Sequence, residues 1–139
     1  MWSRTFSITT KEVTRQQMWK LFANVNSWNT WDSGIKYALL EGRFEQGSNI
    51  LLKPQKGPRI RIILSKVVEN NSFVTVSSFP MAKIYHEHLL EETPDGLRIS
   101  YTITVKGALS FLWVKLVAQQ LIASISKDIE NQISIAKVL

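Results

Sequence analysis

The sequence has no cysteine, which excludes disulfides and thiolate metal sites and leaves the redox compartment open. Histidine is scarce. There are two, His86 and His88, so a metal site would need a carboxylate on the same strand face, and Glu87 and Glu91 fall on the opposite phase. No metal and no cofactor is expected. Long apolar runs are missing too. The most apolar window, Ala108–Ala123, is interrupted by Lys115, Gln119 and Gln120 and falls short of the ~20 residues that span a bilayer. Stable membrane insertion is therefore not expected. Met1–Phe6 reads as a strand and not as a basic stretch leading into an apolar one, so a cytoplasmic location is expected. No glycine-rich phosphate loop and no Gly-x-Ser-x-Gly motif is present. The net charge of +6 could favour anionic partners, but Arg59, Arg61, Lys66, Lys83, Arg98 and Lys106 fall mostly on the polar phase of strands. No basic run is interleaved with aromatics, so nucleic-acid binding is not expected.

What is present is a chain of 139 residues, the size of one domain (1–139) with a real core. Trp2–Thr9 alternates as a first strand. Thr14 and Gln17 form a capping box, and Val13 and Met18 occupy the staple positions, so a helix is expected from there to about Ala23. A second short helix opens at Ser27, carries Trp28 and Trp31, and stops at Asp32-Ser33-Gly34. Six strands follow: Ile35–Glu41, Asn49–Lys53, Arg59–Val68, Phe73–Ser78, Lys83–Glu91 and Leu97–Lys106. The turns between them leave no room for crossover helices, so the sheet is antiparallel. After Gly107 the chain reads as one helix to about Val138, roughly 45 Å long. Its stripe runs Leu109, Leu112, Trp113, Leu116, Leu121, Ile125, Ile129, Ile133 and Ala136. Its polar face is read as Lys127, Asp128, Asn131, Gln132 and Lys137. The first half is apolar nearly all round and is expected to be the more deeply covered part. The fold class is α+β: a curved antiparallel seven-stranded sheet wrapped around a long C-terminal helix, with two short helices between strands 1 and 2.

A sheet gripping one helix tends to leave a cavity. Strand phase puts Ile60, Ile62, His86, His88, Tyr101 and Ile103 on its wall. The apolar turn Phe79-Pro80-Met81 and the residues Leu109, Leu112, Trp113 and Leu116 would form its mouth, and Trp28 and Trp31 would either cap it or pack against the sheet. His86, His88 and Tyr101 are the main polar groups on that wall. They fit ligand orientation by hydrogen bonding, and either histidine fits acid–base chemistry. Lys115 reaches solvent by its stem or meets an anionic ligand group.

Several of these residues together resemble a known superfamily. They are Val13, Trp19, Phe22, Val25-Asn26-Ser27-Trp28, Trp31-Asp32, Leu40-Glu41-Gly42-Arg43-Phe44, Gly47, His86-Glu87-His88, Asp95-Gly96, Ile99 and the Gly107-Ala108-Leu109 junction. The chain is similar to the START/polyketide cyclase-dehydrase superfamily, the helix-grip group that includes the birch-pollen-allergen-like proteins. Its Glu45–Ser48 turn is shorter than the glycine-rich loop of that plant subgroup, and the second domain and iron site of the Rieske-oxygenase branch are missing. The resemblance implies a cavity for an apolar small molecule: lipid-like, aromatic or polyketide-like. It also implies two alternatives, a cyclase/dehydrase-type enzyme using a cavity histidine and a co-chaperone-like interaction module. A monomer or homodimer is expected.

Overall fold

The computed structural model describes all 139 residues. Seven strands form one antiparallel sheet in the order β1-β7-β6-β5-β4-β3-β2. They are β1 (Trp2–Thr10), β2 (Ile35–Glu41), β3 (Asn49–Pro54), β4 (Ile60–Val68), β5 (Ser72–Phe79), β6 (Ala82–Thr93) and β7 (Gly96–Lys106). Between β1 and β2 come α1 (Arg15–Ala23) and a 3-10 helix (Val25–Thr30). After β7 come α2 (Ser110–Trp113), a π turn (Val114–Ala118) and α3 (Gln119–Ala136), which follow one another without a break.

Local chemistry sets these bounds. Thr14 Oγ1 accepts the Gln17 N–H at 3.1 Å, and Gln17 Oε1 accepts the Thr14 N–H at 2.9 Å. Two orphan donors of α1 are thereby satisfied. Met18, Trp19, Leu21 and Phe22 are buried from α1. On β1 and β7 the outward side chains form a hydroxyl ladder. Ser3 meets Thr104, Thr5 meets Thr102, and Ser7 meets Ser100, at 3.2, 2.9 and 2.9 Å. The other face of β7 carries Leu97, Ile99, Tyr101, Ile103 and Val105, all buried.

Gly107 turns the chain from β7 into α2. Its φ is 126°, and a Cβ there would overlap the Met81 carbonyl oxygen, so only glycine fits. Met81 itself stands at φ 58°, in the two-residue turn joining β5 to β6. Three contacts clasp that turn to α2. Leu109 N–H donates to Met81 O at 3.1 Å, Trp113 Nε1 donates to Pro80 O at 2.8 Å, and the Phe79 and Trp113 rings lie 4.8 Å apart.

The two halves of the terminal segment are covered in the reverse of the expected order. α2 buries no residue, and Phe111, Leu112 and Leu116 are 72%, 37% and 50% exposed. α3 buries Ile125, Asp128, Ile129, Gln132, Ile133 and Ala136. The π turn explains the change of face. The Gln119 N–H reaches back five residues to Val114 O, which inserts one residue into the helix and rotates everything before it.

Candidate functional site

The interior between α3 and the sheet holds a connected group of polar side chains. From β6, His86 and His88 point inward, and from β7, Tyr101 does. The rings of Phe73, His88 and His86 stack in a row, at centroid separations of 4.2 and 4.3 Å. The Tyr101 ring meets His88 edge-on at 4.2 Å. Its hydroxyl faces the Gln132 amide from α3 without closing a well-formed hydrogen bond. One turn back along α3 stands Asp128, whose Oδ2 is 3.3 Å from Ser124 Oγ. Asp32, just past the 3-10 helix, completes the group and accepts the Gly34 N–H at 2.9 Å. The Trp31 carbonyl accepts from Asn131 Nδ2 at 3.2 Å, tying this segment to α3.

Gln132 and Asp128 are a correction to the sequence reading, which assigned both to the solvated face of the helix. They are 0% and 5% exposed. The signal for them was helical phase: 125, 128, 129, 132, 133 and 136 make one continuous inward face. Residue type pointed outward and position pointed inward, and position won.

Burial governs the charges. It lowers the His86 pKa to about 4, and it holds His88 well below the usual histidine value, helped by the neighbouring His86. Both imidazoles are therefore neutral near pH 7. Burial raises the Tyr101 phenol well above its ordinary range. A contact with Gln132 opposes this, and the Asp128 and Asp32 charges add to it. Asp128 is pushed up to about 7 by burial and by Asp32, against the Ser124 hydrogen bond. Burial also raises Asp32, against the Gly34 N–H.

Many polar atoms in this group have no partner within the protein. They are Trp31 Nε1, His86 Nε2, both ring nitrogens of His88, Tyr101 OH, Asp128 Oδ1 and both amide atoms of Gln132. Each buried donor or acceptor left unmade costs about 1–3 kcal/mol. The array mixes donors and acceptors and carries little fixed charge. His86 and His88 stack face to face instead of converging on a common point, an arrangement unsuited to chelation.

The remaining sequence-predicted residues fall into two sets. Ile62 and Ile103 are buried walls, with Ile60 half-buried beside them. Trp31 joins the polar group. Trp28 packs on Phe73 at 5.9 Å and donates its Nε1 to Phe22 O at 2.9 Å, so it is core. Phe79, Leu109 and Trp113 sit in the clasp. Met81, Leu112 and Leu116 lie on the outside, away from the polar group, and Lys115 is exposed. Two hollows open on the surface. One, of ≈ 590 Å³, lies among α1, the 3-10 helix and the end of α3; the other, of ≈ 420 Å³, lies against the β5–β6 turn. Neither opens between α3 and the sheet, where the polar atoms just described are shut off from solvent.

No family model and no curated protein matches the sequence. Solved structures do match. The di-domain ARO/CYC StfQ from the steffimycin biosynthetic pathway superposes with a TM-score of 0.78 at 10% identity, over 97% of this chain and 50% of that one. Ara h 8.0201 gives 0.72 at 12% identity, over 99% and 100%. A START superfamily protein from Mycobacterium smegmatis gives 0.70 at 15% identity, over 96% of each. The chain has the helix-grip fold seen in these structures. At these identities the helix-grip likeness carries the architecture alone, and any chemistry must come from the chain's own residues. No helix of this helix-grip protein is long and apolar enough to cross a membrane.

Proposed function

We propose that this protein binds a small, mainly apolar molecule bearing hydroxyl or carbonyl groups between α3 and the sheet. The observation that carries this is the set of unpartnered donors and acceptors on His86, His88, Tyr101, Asp128, Gln132 and Trp31. Apolar residues such as Ile62, Phe73 and Ile103 surround them. A neutral ligand with a few oxygens matches the neutral imidazoles, phenol and amide inside an apolar wall; an anion would be repelled by Asp128 and Asp32, and any full charge would meet the desolvation that keeps both histidines unprotonated. Admission requires α2 and the π turn to lift from the β5–β6 turn, because the interior is closed as folded. The few contacts of the clasp and the light covering of α2 suit that movement.

Quenching of tryptophan fluorescence by a hydroxylated aromatic probe such as naringenin tests this. Saturable quenching by the wild type, weakened at least about tenfold in Gln132→Leu and His88→Phe, is the expected result. Saturable binding that survives both substitutions would sink the assignment.

A second reading has a specific observation behind it. Asp128, at about 7, can give or take a proton near neutrality, and neutral histidines line the same interior. An enzyme that cyclises or dehydrates its ligand would use this pair as acid and base. Such turnover should vanish in Asp128→Asn while probe binding persists.

A further inference from the structure

The two ends of the sheet differ in charge. At one end the turns carry Glu45, Glu69 and Asp95 against one cation, Arg43; of the carboxylates on the strand ends leading into them, Glu41 and Glu91 are paired with Arg61 and Arg98, and Glu92 is in no ion pair. At the other end lie the β3–β4 turn, the β5–β6 turn and the Gly107 junction, with Lys56, Arg59, Lys83, Lys106 and Lys115 exposed there. The one carboxylate at that end, Asp32, is half-buried and belongs to the interior group. From Gly96 to Lys127 the sequence contains no acidic residue at all.

The basic end also carries a group of large exposed apolar side chains. Met81 is 64% exposed at the tip of the β5–β6 turn, and the clasp holds that tip against α2 with its exposed Phe111 and Leu112. Leu116 follows Leu112, and Lys115 follows Phe111, one helical turn on, so two apolar-led rows lie side by side. Lys83 and Lys106 face each other across β6 and β7, and neither is in an ion pair. Like charges placed opposite one another are unfavourable. A hollow of ≈ 420 Å³ opens beside them, lined also by Ser78, Phe79, Met81 and Tyr85.

We propose that this end of the molecule docks reversibly on an anionic lipid bilayer. Met81, Phe111, Leu112 and Leu116 enter the headgroup layer, and Lys83, Lys106 and Lys115 meet lipid phosphates. Exposed apolar side chains ringed by lysines are the pairing an anionic bilayer rewards, since the apolar groups leave water while the cations meet the surface potential. A nucleic acid would use the lysines but not the aliphatic side chains, and would want bases stacked on aromatic rings. The docking face shares no residue with the interior polar group, although it is built on the elements that must part to admit a ligand.

The test is co-sedimentation of the whole chain with phosphatidylcholine vesicles, with and without phosphatidylserine, at low and high salt. Binding only to the phosphatidylserine vesicles is expected, falling with salt. The pair Phe111→Ser and Leu116→Ser, both at exposed positions, should abolish it with the thermal midpoint unchanged. Lys83→Gln, Lys106→Gln and Lys115→Gln should each lower partitioning about fivefold. Three outcomes overturn the proposal: no binding to phosphatidylserine vesicles, equal binding to phosphatidylcholine alone, or binding that survives the serine pair. Heparin binding that needs the lysines and ignores the serine pair would accompany the last. Loss of probe binding in Gln132→Leu leaves this result untouched, so the two readings fail separately.

Discussion

The two parts of the terminal segment are both well supplied with apolar residues and use them in opposite ways. α3 presses Ile125, Ile129, Ile133 and Ala136 into the core and brings Asp128 and Gln132 with them. The stretch from Ser110 to Ala118 is proportionally richer in apolar residues, seven of nine against eight of eighteen, yet shows Phe111, Leu112 and Leu116 to solvent and buries mainly Val114 and Ala118. Apolar content therefore does not decide burial; the presence of a packing partner does. α3 has α1 and the sheet around it, whereas the earlier stretch has the clasp with the β5–β6 turn and little else. One part is structural pillar and polar site together, and the other is free to move or to be covered by something outside the chain.

Truncation is the strongest way to break this comparison. Ile129→Ala, at a fully buried site, should cost about 2–5 kcal/mol in urea unfolding, while Leu116→Ala should stay within about 0.5 kcal/mol. Equal costs would mean that the two parts are packed alike. Next comes the junction. Gly107→Ala puts a Cβ against the Met81 carbonyl at a φ that disfavours it, with an expected loss of about 2–3 kcal/mol. If its midpoint matches that of the wild type, the clasp is not where the structure puts it.

The pH dependence separates the groups within the site. The Asp128 pKa is raised above its unfolded value, so the folded state binds the extra proton, and stability falls as pH rises from about 4 through about 7. The His86 pKa is lowered to about 4, so stability falls in the opposite direction, as pH drops below about 6.5. Asp128→Asn should recover on the order of 1–2 kcal/mol at about pH 8 and little at about pH 4. The same small effect at both pH values would show that Asp128 is solvated. The smallest effect is a gain. Gln132→Leu removes two unpartnered buried atoms at similar volume, and should raise stability by about 1 kcal/mol by thermal or urea unfolding while weakening the probe. A loss of stability there would mean that the amide already has partners.

Much of the fold was legible because its signals are local. The Thr14–Gln17 capping box, the alternation of Leu97–Val105 and the glycine at 107 each specify geometry by themselves, and the strand bounds agree to within one or two residues. His86, His88 and Tyr101 were found by phase on regular strands. The rest depended on tertiary context. The five-residue step from Leu116 to Leu121 marks the π turn, but an irregular spacing does not say which face turns outward. Asp128 and Gln132 were misplaced because a polar residue on a helix is usually solvated, and only the apolar neighbours at 125, 129 and 133 argue otherwise. Asp32 was read as a helix stop, which it is, and its burial beside Asp128 could not be seen locally.

The pairing of β1 with β7 has a consequence for how the chain is made. Trp2 aligns with Val105, so β1 must wait for β7, made about a hundred residues later, before it can pair. Until then β1 is an unpaired edge in a growing chain, open to mispairing with other nascent chains. Its Ser3, Arg4, Thr5 and Ser7 make a poor adhesive for such partners. The hydroxyl ladder of the finished sheet thus also suits a strand that waits unpaired, and replacing Ser3, Thr5 and Ser7 with valine should raise the yield of aggregate during translation more than it changes the stability of the folded protein.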